Sequence, residues 1–196
     1  GPAAPYGMVQ LSPDTEGYFA YTGYQYADNF IRGFSHHHVQ SMGVRSNGDL
    51  PFMPSVGPVT STDPRTFMSP FNHATEEAEA GYYKVLLERF GITAELTAGT
   101  RVGMHRYTFP PSPQSNVIFD IGRSNVGWSP APRLHPNQPE ADSSGHPARL
   151  TIDPEQDLVT GSAFTRAFRR WTGESPGRWR RPRSGTSSCR RWRRGT

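Results

Sequence analysis

Glycine and proline recur about once every five residues along this chain, 20 Gly and 19 Pro in 196 positions. Proline inside a helix removes a hydrogen bond and clashes with the preceding turn, and glycine there costs conformational entropy. A chain punctuated this densely is expected to form short strands joined by turns rather than long helices. Aromatic side chains, 12% of the residues, supply the bulk that a β core needs, and Tyr and Trp also serve sugar-binding surfaces. The length suits one domain of ordinary size, or one domain with a tail.

The net charge of +4 conceals two opposed segments. Residues 166–196 carry 11 Arg and a single acid, Glu174, for a net of +10. The first 165 residues hold 10 basic and 16 acidic side chains, for a net of −6. The isoelectric point of about 9.5 therefore belongs to the tail, and a nucleic-acid reading applies to that segment alone. The one cysteine, Cys189, also lies there, so no intrachain disulfide forms and cysteine usage gives no redox compartment. No apolar run reaches membrane-spanning length, which argues against a membrane helix. The chain opens Gly1-Pro2-Ala3 with no methionine and no visible signal peptide, and we expect the natural N-terminus to lie upstream.

Strand signals dominate the pattern. Tyr6–Ser12 reads as a strand closed by the turn Ser12-Pro13-Asp14. Tyr83, Val85 and Leu87 share one strand face, and Phe90-Gly91 supplies a turn. Ile92, Ala94, Leu96 and Ala98 then alternate with Thr93, Glu95 and Thr97, as a half-buried strand requires. Val102 and Met104 continue that parity while Tyr107 and Phe109 reverse it, which predicts a bulge near His105. Residues 116–122 are apolar enough for a central strand, and residues 148–153 recover strand character after a Pro/Ser/His/Asn-rich stretch. The single helix candidate is Asn72–Ala80, stopped by Gly81. The predicted class is all-β, an antiparallel β-sandwich.

Four blocks then become specific. They are Pro5-Tyr6-Gly7-Met8-Val9-Gln10-Leu11-Ser12-Pro13-Asp14-Thr15; Ile31-Arg32-Gly33-Phe34-Ser35-His36-His37-His38 with Gly48-Asp49 and Met53-Pro54; Ser69-Pro70-Phe71-Asn72-His73 leading to Gly81-Tyr82-Tyr83; and Ala94-Glu95-Leu96-Thr97 through Thr100-Arg101-Val102-Gly103-Met104-His105-Arg106-Tyr107-Thr108-Phe109. In this order and spacing they resemble the N-terminal domain of glycoside hydrolase family 92, the calcium-dependent exo-α-mannosidases. The resemblance runs over about residues 1–163 and does not cover the tail, 164–196.

That resemblance implies an N-terminal β-sandwich packed on an (α/α) barrel, in an enzyme that removes terminal mannose from glycans with inversion. Inversion separates the acid and base carboxyls by roughly 6.5–9.5 Å so that a water fits between them. The resemblance places those carboxylates and the calcium ligands in the barrel and has the N-terminal domain lend loops to the sugar pocket. We therefore expect a fragment that is inactive alone, assign it no catalytic acid or base, and expect the chain to end before the barrel begins. Bacterial members are often exported, so export is what the resemblance implies for compartment.

Within this frame the candidate substrate-binding residues are His36, His38, Ser41, Gly43, Val44 and Asp49. Alternate residues of an extended segment point the same way, so His36 and His38 have the spacing to share a ligand. A zinc site would need a third ligand and no Cys lies near, so no metal is assigned to them. The family pattern Gly-Phe-Ser-His-x-His makes them structural or pocket-rim residues instead. Residues 40–49 correspond to the family's sugar-facing loop, whose ordinary reading is a Gly-rich turn. An aromatic residue follows the glycine in relatives specific for the α-1,2 linkage; Val44 stands there and has no ring to stack. Glu76, Glu77 and Glu79 read as a solvated acidic face, Arg101, His105 and Arg106 as interface or surface charges, and Trp128, in a loop setting, as partly buried in the core or else a sugar platform.

Two other classes of function fit parts of the chain. One is a free-standing carbohydrate-binding sandwich. The other is polyanion binding through the tail, where Phe164, Phe168 and Trp171 fall at helical spacing among arginines. The remainder of the tail mixes Arg, Trp, Gly, Ser and Pro without Lys, Ile or Val, as a shifted reading frame in a GC-rich gene would. The expectation is non-family sequence there, which the other two frames of the gene would test.

Overall fold

The computed structural model describes residues 1–16, 23–38, 48, 50–120 and 149–162. Their regular elements are β1 (Ser12–Thr15), β2 (Phe30–Ser35), β3 (Phe52–Val56), β4 (Ser69–Pro70), β5 (Glu77–Glu79), β6 (Tyr82–Leu87), β7 (Ile92–Ala98), β8 (Gly103–Thr108), β9 (Ser115–Phe119), β10 (Arg149–Asp153) and β11 (Leu158–Ser162), with two short 3₁₀ turns at Pro64–Thr66 and His73–Thr75. All the pairings are antiparallel. The protein is an all-β sandwich.

One sheet runs β1-β2-β3-β9, with β4 also on β2. Ile31 pairs with Thr15 on one edge and Ser69 on the other, whereas Phe34 pairs with Pro13 and Phe52. Strands β3 and β4 therefore share one edge of β2, and β1 lines the opposite edge. The second sheet is the meander β5-β6-β7-β8. Between the sheets Ile31, Phe34 and Met53 from the first meet Tyr83, Val85, Leu87, Ile92, Ala94 and Leu96 from the second in a single apolar cluster. Burying such side chains contributes roughly 1.5–3 kcal/mol each. Strands β10 and β11 form a separate two-stranded ribbon.

The alternation expected for residues 82–98 is present: Tyr83, Val85, Leu87, Ile92, Ala94 and Leu96 are buried and their neighbours are partly or fully exposed. Four other expectations are corrected. The first strand is displaced to Ser12–Thr15 and takes in the proposed turn; Pro13 is tolerated because, among the described residues, β1 pairs with β2 alone and needs no donor on its other side. No helix spans 72–80. Asn72 instead caps a 3₁₀ turn through Ala74, and Glu77–Glu79 pair with β6. No bulge lies near His105, because register holds without a break from Ala98↔Gly103 to Thr93↔Thr108. Residues 99–102 form the turn, closed by Gly99 N–H to the Val102 carbonyl at 2.8 Å. That turn places Gly103 opposite Ala98, so Gly103, His105 and Tyr107 face inward while Val102 and Met104 are exposed. Finally, β9 pairs only with β3 among the described residues and is not central.

Candidate functional site

The histidine segment leaves the end of β2 and divides. His36 and His38 are both buried, but they do not converge on a shared ligand. His36 turns toward the second sheet, where its Nε2 lies 3.2 Å from Nε2 of His105 on β8. His105 Nδ1 is 2.7 Å from the Tyr107 hydroxyl. Phe52 packs edge-on against His36 at 5.0 Å, and Phe34 packs edge-on against His105 at 6.5 Å. The pair thus bridges the two sheets. Removal from water pushes His36 down to about 4, with the neighbouring His37 adding to the shift and a hydrogen bond with the Gly103 backbone opposing it. The same desolvation, followed by the influence of His36, brings His105 to about 3. Both rings are neutral at pH 7.

His38 serves a different partner. Its Nδ1 is 3.0 Å from the Gln10 carbonyl and its Nε2 is 2.8 Å from Asp14 Oδ1. Both ring nitrogens thus lie against oxygen atoms of β1 or its approach. Asp14 is fully buried and also receives the Ser35 hydroxyl and, at 3.6 Å, the Arg32 guanidinium. Burial alone would raise its carboxyl, but the charges of Arg32 and His38 and the hydrogen bonds from His38 and Ser35 outweigh it and hold Asp14 below the usual carboxylate range. Gly23, at φ +99°, lies directly over the His38 ring. Serine, histidine and aspartate meet here without making a nucleophile: Ser35 donates to Asp14, not to the histidine, and all three are buried.

A second carboxylate departs from the solvated face expected of it. Glu77 and Glu79 are exposed as expected, but the Glu76 side chain is only 10% exposed. It accepts from the Tyr24 hydroxyl at 3.0 Å, from the Tyr83 hydroxyl and from His73 Nδ1. His73 also meets the Tyr26 carbonyl at 2.8 Å and stacks on the Tyr26 ring. Its hydrogen bond to Glu76 raises its basicity. The clue available in the sequence is Asn72, which caps the start of a one-turn 3₁₀ segment that ends at Thr75, with Glu76 as its extended C-cap. Tyr83→Phe removes one of these donors and is expected to cost about 1 kcal/mol, read as a shift of the urea midpoint at constant slope.

The remaining expectations divide as follows. Arg106 pairs with Glu95, its cross-strand neighbour on β7, and Tyr82 donates to the same carboxylate at 2.8 Å. His105, read as an interface or surface charge, faces inward. Ser41, Gly43, Val44, Asp49 and Trp128 lie outside the described residues, as does the tail from 163 onward. The Gly48 N–H to the His37 carbonyl, 2.7 Å, ties together the two ends of the segment that carries most of them.

Chemically, both enclosed carboxylates are committed to internal donors. Asp14 is held by Arg32, His38 and Ser35, and Glu76 by two tyrosines and His73. A hard cation such as calcium takes six to eight oxygens, and no group of three or more His, Cys, Asp or Glu suited to a metal occurs among the described residues. The described residues therefore do not fit a calcium site. They build a rigid frame around the histidine segment.

Comparison with known proteins gives this frame a family. The chain matches the Glycosyl hydrolase family 92 N-terminal domain over residues 1–180, further than the resemblance read to about residue 163. It is similar to the GH92 α-mannosidase BT3965 of Bacteroides thetaiotaomicron, solved with mannoimidazole, at 36% identity and a TM-score of 0.56 over 62% of this chain and 17% of that one. It is also similar to the GH92 inverting mannosidase BT2199 of Bacteroides thetaiotaomicron VPI-5482, at 27% identity and a TM-score of 0.61 over 82% of this chain and 19% of that one. The chain thus spans about a fifth of the length of these enzymes. A search among curated proteins gives no match. With the family match running over most of its length, the chain belongs to glycoside hydrolase family 92, as an N-terminal domain.

Proposed function

We propose that this chain is the N-terminal β-sandwich of an inverting, calcium-dependent α-mannosidase that trims terminal mannose from glycans, and that it does not hydrolyse alone. In this reading it docks on an (α/α) barrel that carries the catalytic carboxylates and the calcium ligands. It lends the barrel the segment around Ser41, Gly43, Val44 and Asp49, with His36 and His38 fixing the start of that segment. Residues 1–163 form the sandwich and residues 164–196 a separate Arg/Trp-rich segment.

The observation that carries the proposal is the pairing of the family match with the state of the two enclosed carboxylates. Inverting hydrolysis needs a protonated carboxyl beside the leaving oxygen and an ionised one beside a water. Asp14 and Glu76 have neither freedom, since donors surround each of them. Aryl α-mannosides incubated with the purified chain and calcium should show no turnover above background. Clear turnover would move the chemistry into these residues and overturn the proposal. Calorimetric binding of free mannosides by the isolated chain would instead favour a self-sufficient carbohydrate-binding module.

A further inference from the structure

We propose that His36 and His105 form a proton-sensitive latch between the two sheets, so that mild acid loosens the sandwich. The geometry carries the idea. His36 extends from the end of β2 in one sheet and His105 from β8 in the other, and their Nε2 atoms meet at 3.2 Å. Neutral rings satisfy this contact when one Nε2–H donates to the lone pair of the other. One added proton places a cation among Phe34, Phe52 and Tyr107. A second sets N–H against N–H and charge against charge.

Among the described residues no anion is placed to compensate. The titratable groups acting on His36 are His37 and His38 from its own segment, and His105 feels His36. Strand β8 adds the Tyr107 hydroxyl, and β3 presents Phe52. Nor is there room to retreat on one side: a Cβ on Gly103 would lie 2.6 Å from His36 Cδ2 and 3.2 Å from Val9 Cγ1.

The sign follows from linkage. Both rings take up protons more readily in the unfolded chain, near 6.5, than in the folded one, near 4 and 3. Stability is therefore full above pH 6.5 and falls as the pH drops below it. Asp14, with its lowered pKa, begins to lose its contribution only below its ordinary value of 3.8, outside this window. His73, whose basicity is raised, acts in the opposite direction at an exposed site.

Urea denaturation of the full chain at pH 7, 6 and 5 tests the latch. The folding constant should fall on the order of five hundredfold between pH 7 and pH 5. His105→Gln, which keeps a partner for Tyr107, should remove roughly a twentyfold share of that loss. A pH dependence unchanged in this variant would overturn the proposal. Should the variant fail to fold, imidazole ¹⁵N spectra of the wild-type chain decide the question. Rings that stay neutral at pH 5 support the latch, and either ring titrating near 6.5 removes it.

Discussion

Asp14→Ala should come close to abolishing folding. The substitution leaves the Arg32 guanidinium and the His38 ring, each with a side chain only 3% exposed, without the charge that they surround. Removing one member of a buried ion cluster costs about 3–5 kcal/mol, because the remaining groups stay desolvated and lose the carboxylate that offset their burial. Domains of this size hold only about 5–15 kcal/mol in total. Far-UV circular dichroism against urea at pH 7 is the measurement, and a loss below about 1 kcal/mol would show that the cluster is not charged in solution. Asp14→Asn is the informative companion. It keeps the size and accepts from His38 or Ser35 through its single oxygen, while its amide NH2 faces the other and the charge is gone, so its penalty relative to alanine separates electrostatics from packing.

Gly23→Ala should be nearly as damaging, for two separable reasons. At φ +99° any L side chain is strained, at about 1–2 kcal/mol. The new methyl would also press on the His38 ring, 2.5 Å from Cδ2, and lie 3.1 Å from Asp14 Oδ1. The ring cannot swing away without giving up Gln10 or Asp14, so overpacking adds about 1–3 kcal/mol. Gly57 supplies the control: it has φ +93°, and a Cβ added there would meet nothing within 4 Å. Gly57→Ala carries the strain alone, and the difference between the two variants measures the packing around His38. Equal losses would mean that Gly23 is needed only for its backbone. Because Gly23 and Asp14 touch the same ring, their effects should not add.

The fold was legible where side-chain parity and burial agreed. Residues 82–98 alternate cleanly because each inward position is apolar and each outward one polar or partly exposed. Strand β8 failed because hydrophobicity and burial part company there. Its inward positions are Gly103, His105 and Tyr107, and the exposed ones include Met104. An imidazole inside an aromatic cluster cannot be told from a surface histidine by sequence spacing. The four-residue turn before it, closed between Gly99 and Val102, also resets which parity faces inward.

The candidate site was legible in part. The motif Gly33-Phe34-Ser35-His36-His37-His38 drew attention to two buried histidines, but their partners lie elsewhere along the chain: Asp14 and Gln10 for His38, and His105 for His36. Asp14 looked like a turn residue because Ser12-Pro13-Asp14 has turn chemistry. An edge strand accepts that tripeptide equally well, since Pro13 needs no donor on its open side. Glu76 was hidden among three acids, only one of which has tyrosines above it.

The short bond from Gly48 N–H to the His37 carbonyl has a consequence for stability. It joins the chain at residues 37 and 48, with His38 pinned just inside by two further hydrogen bonds. The entropy of closing a stretch between two joined residues grows only with the logarithm of its length. The clamp therefore insulates the sheets from whatever is strung between its jaws. Changes of length or chemistry between residues 38 and 48 are then expected to leave the stability of the two sheets nearly unchanged.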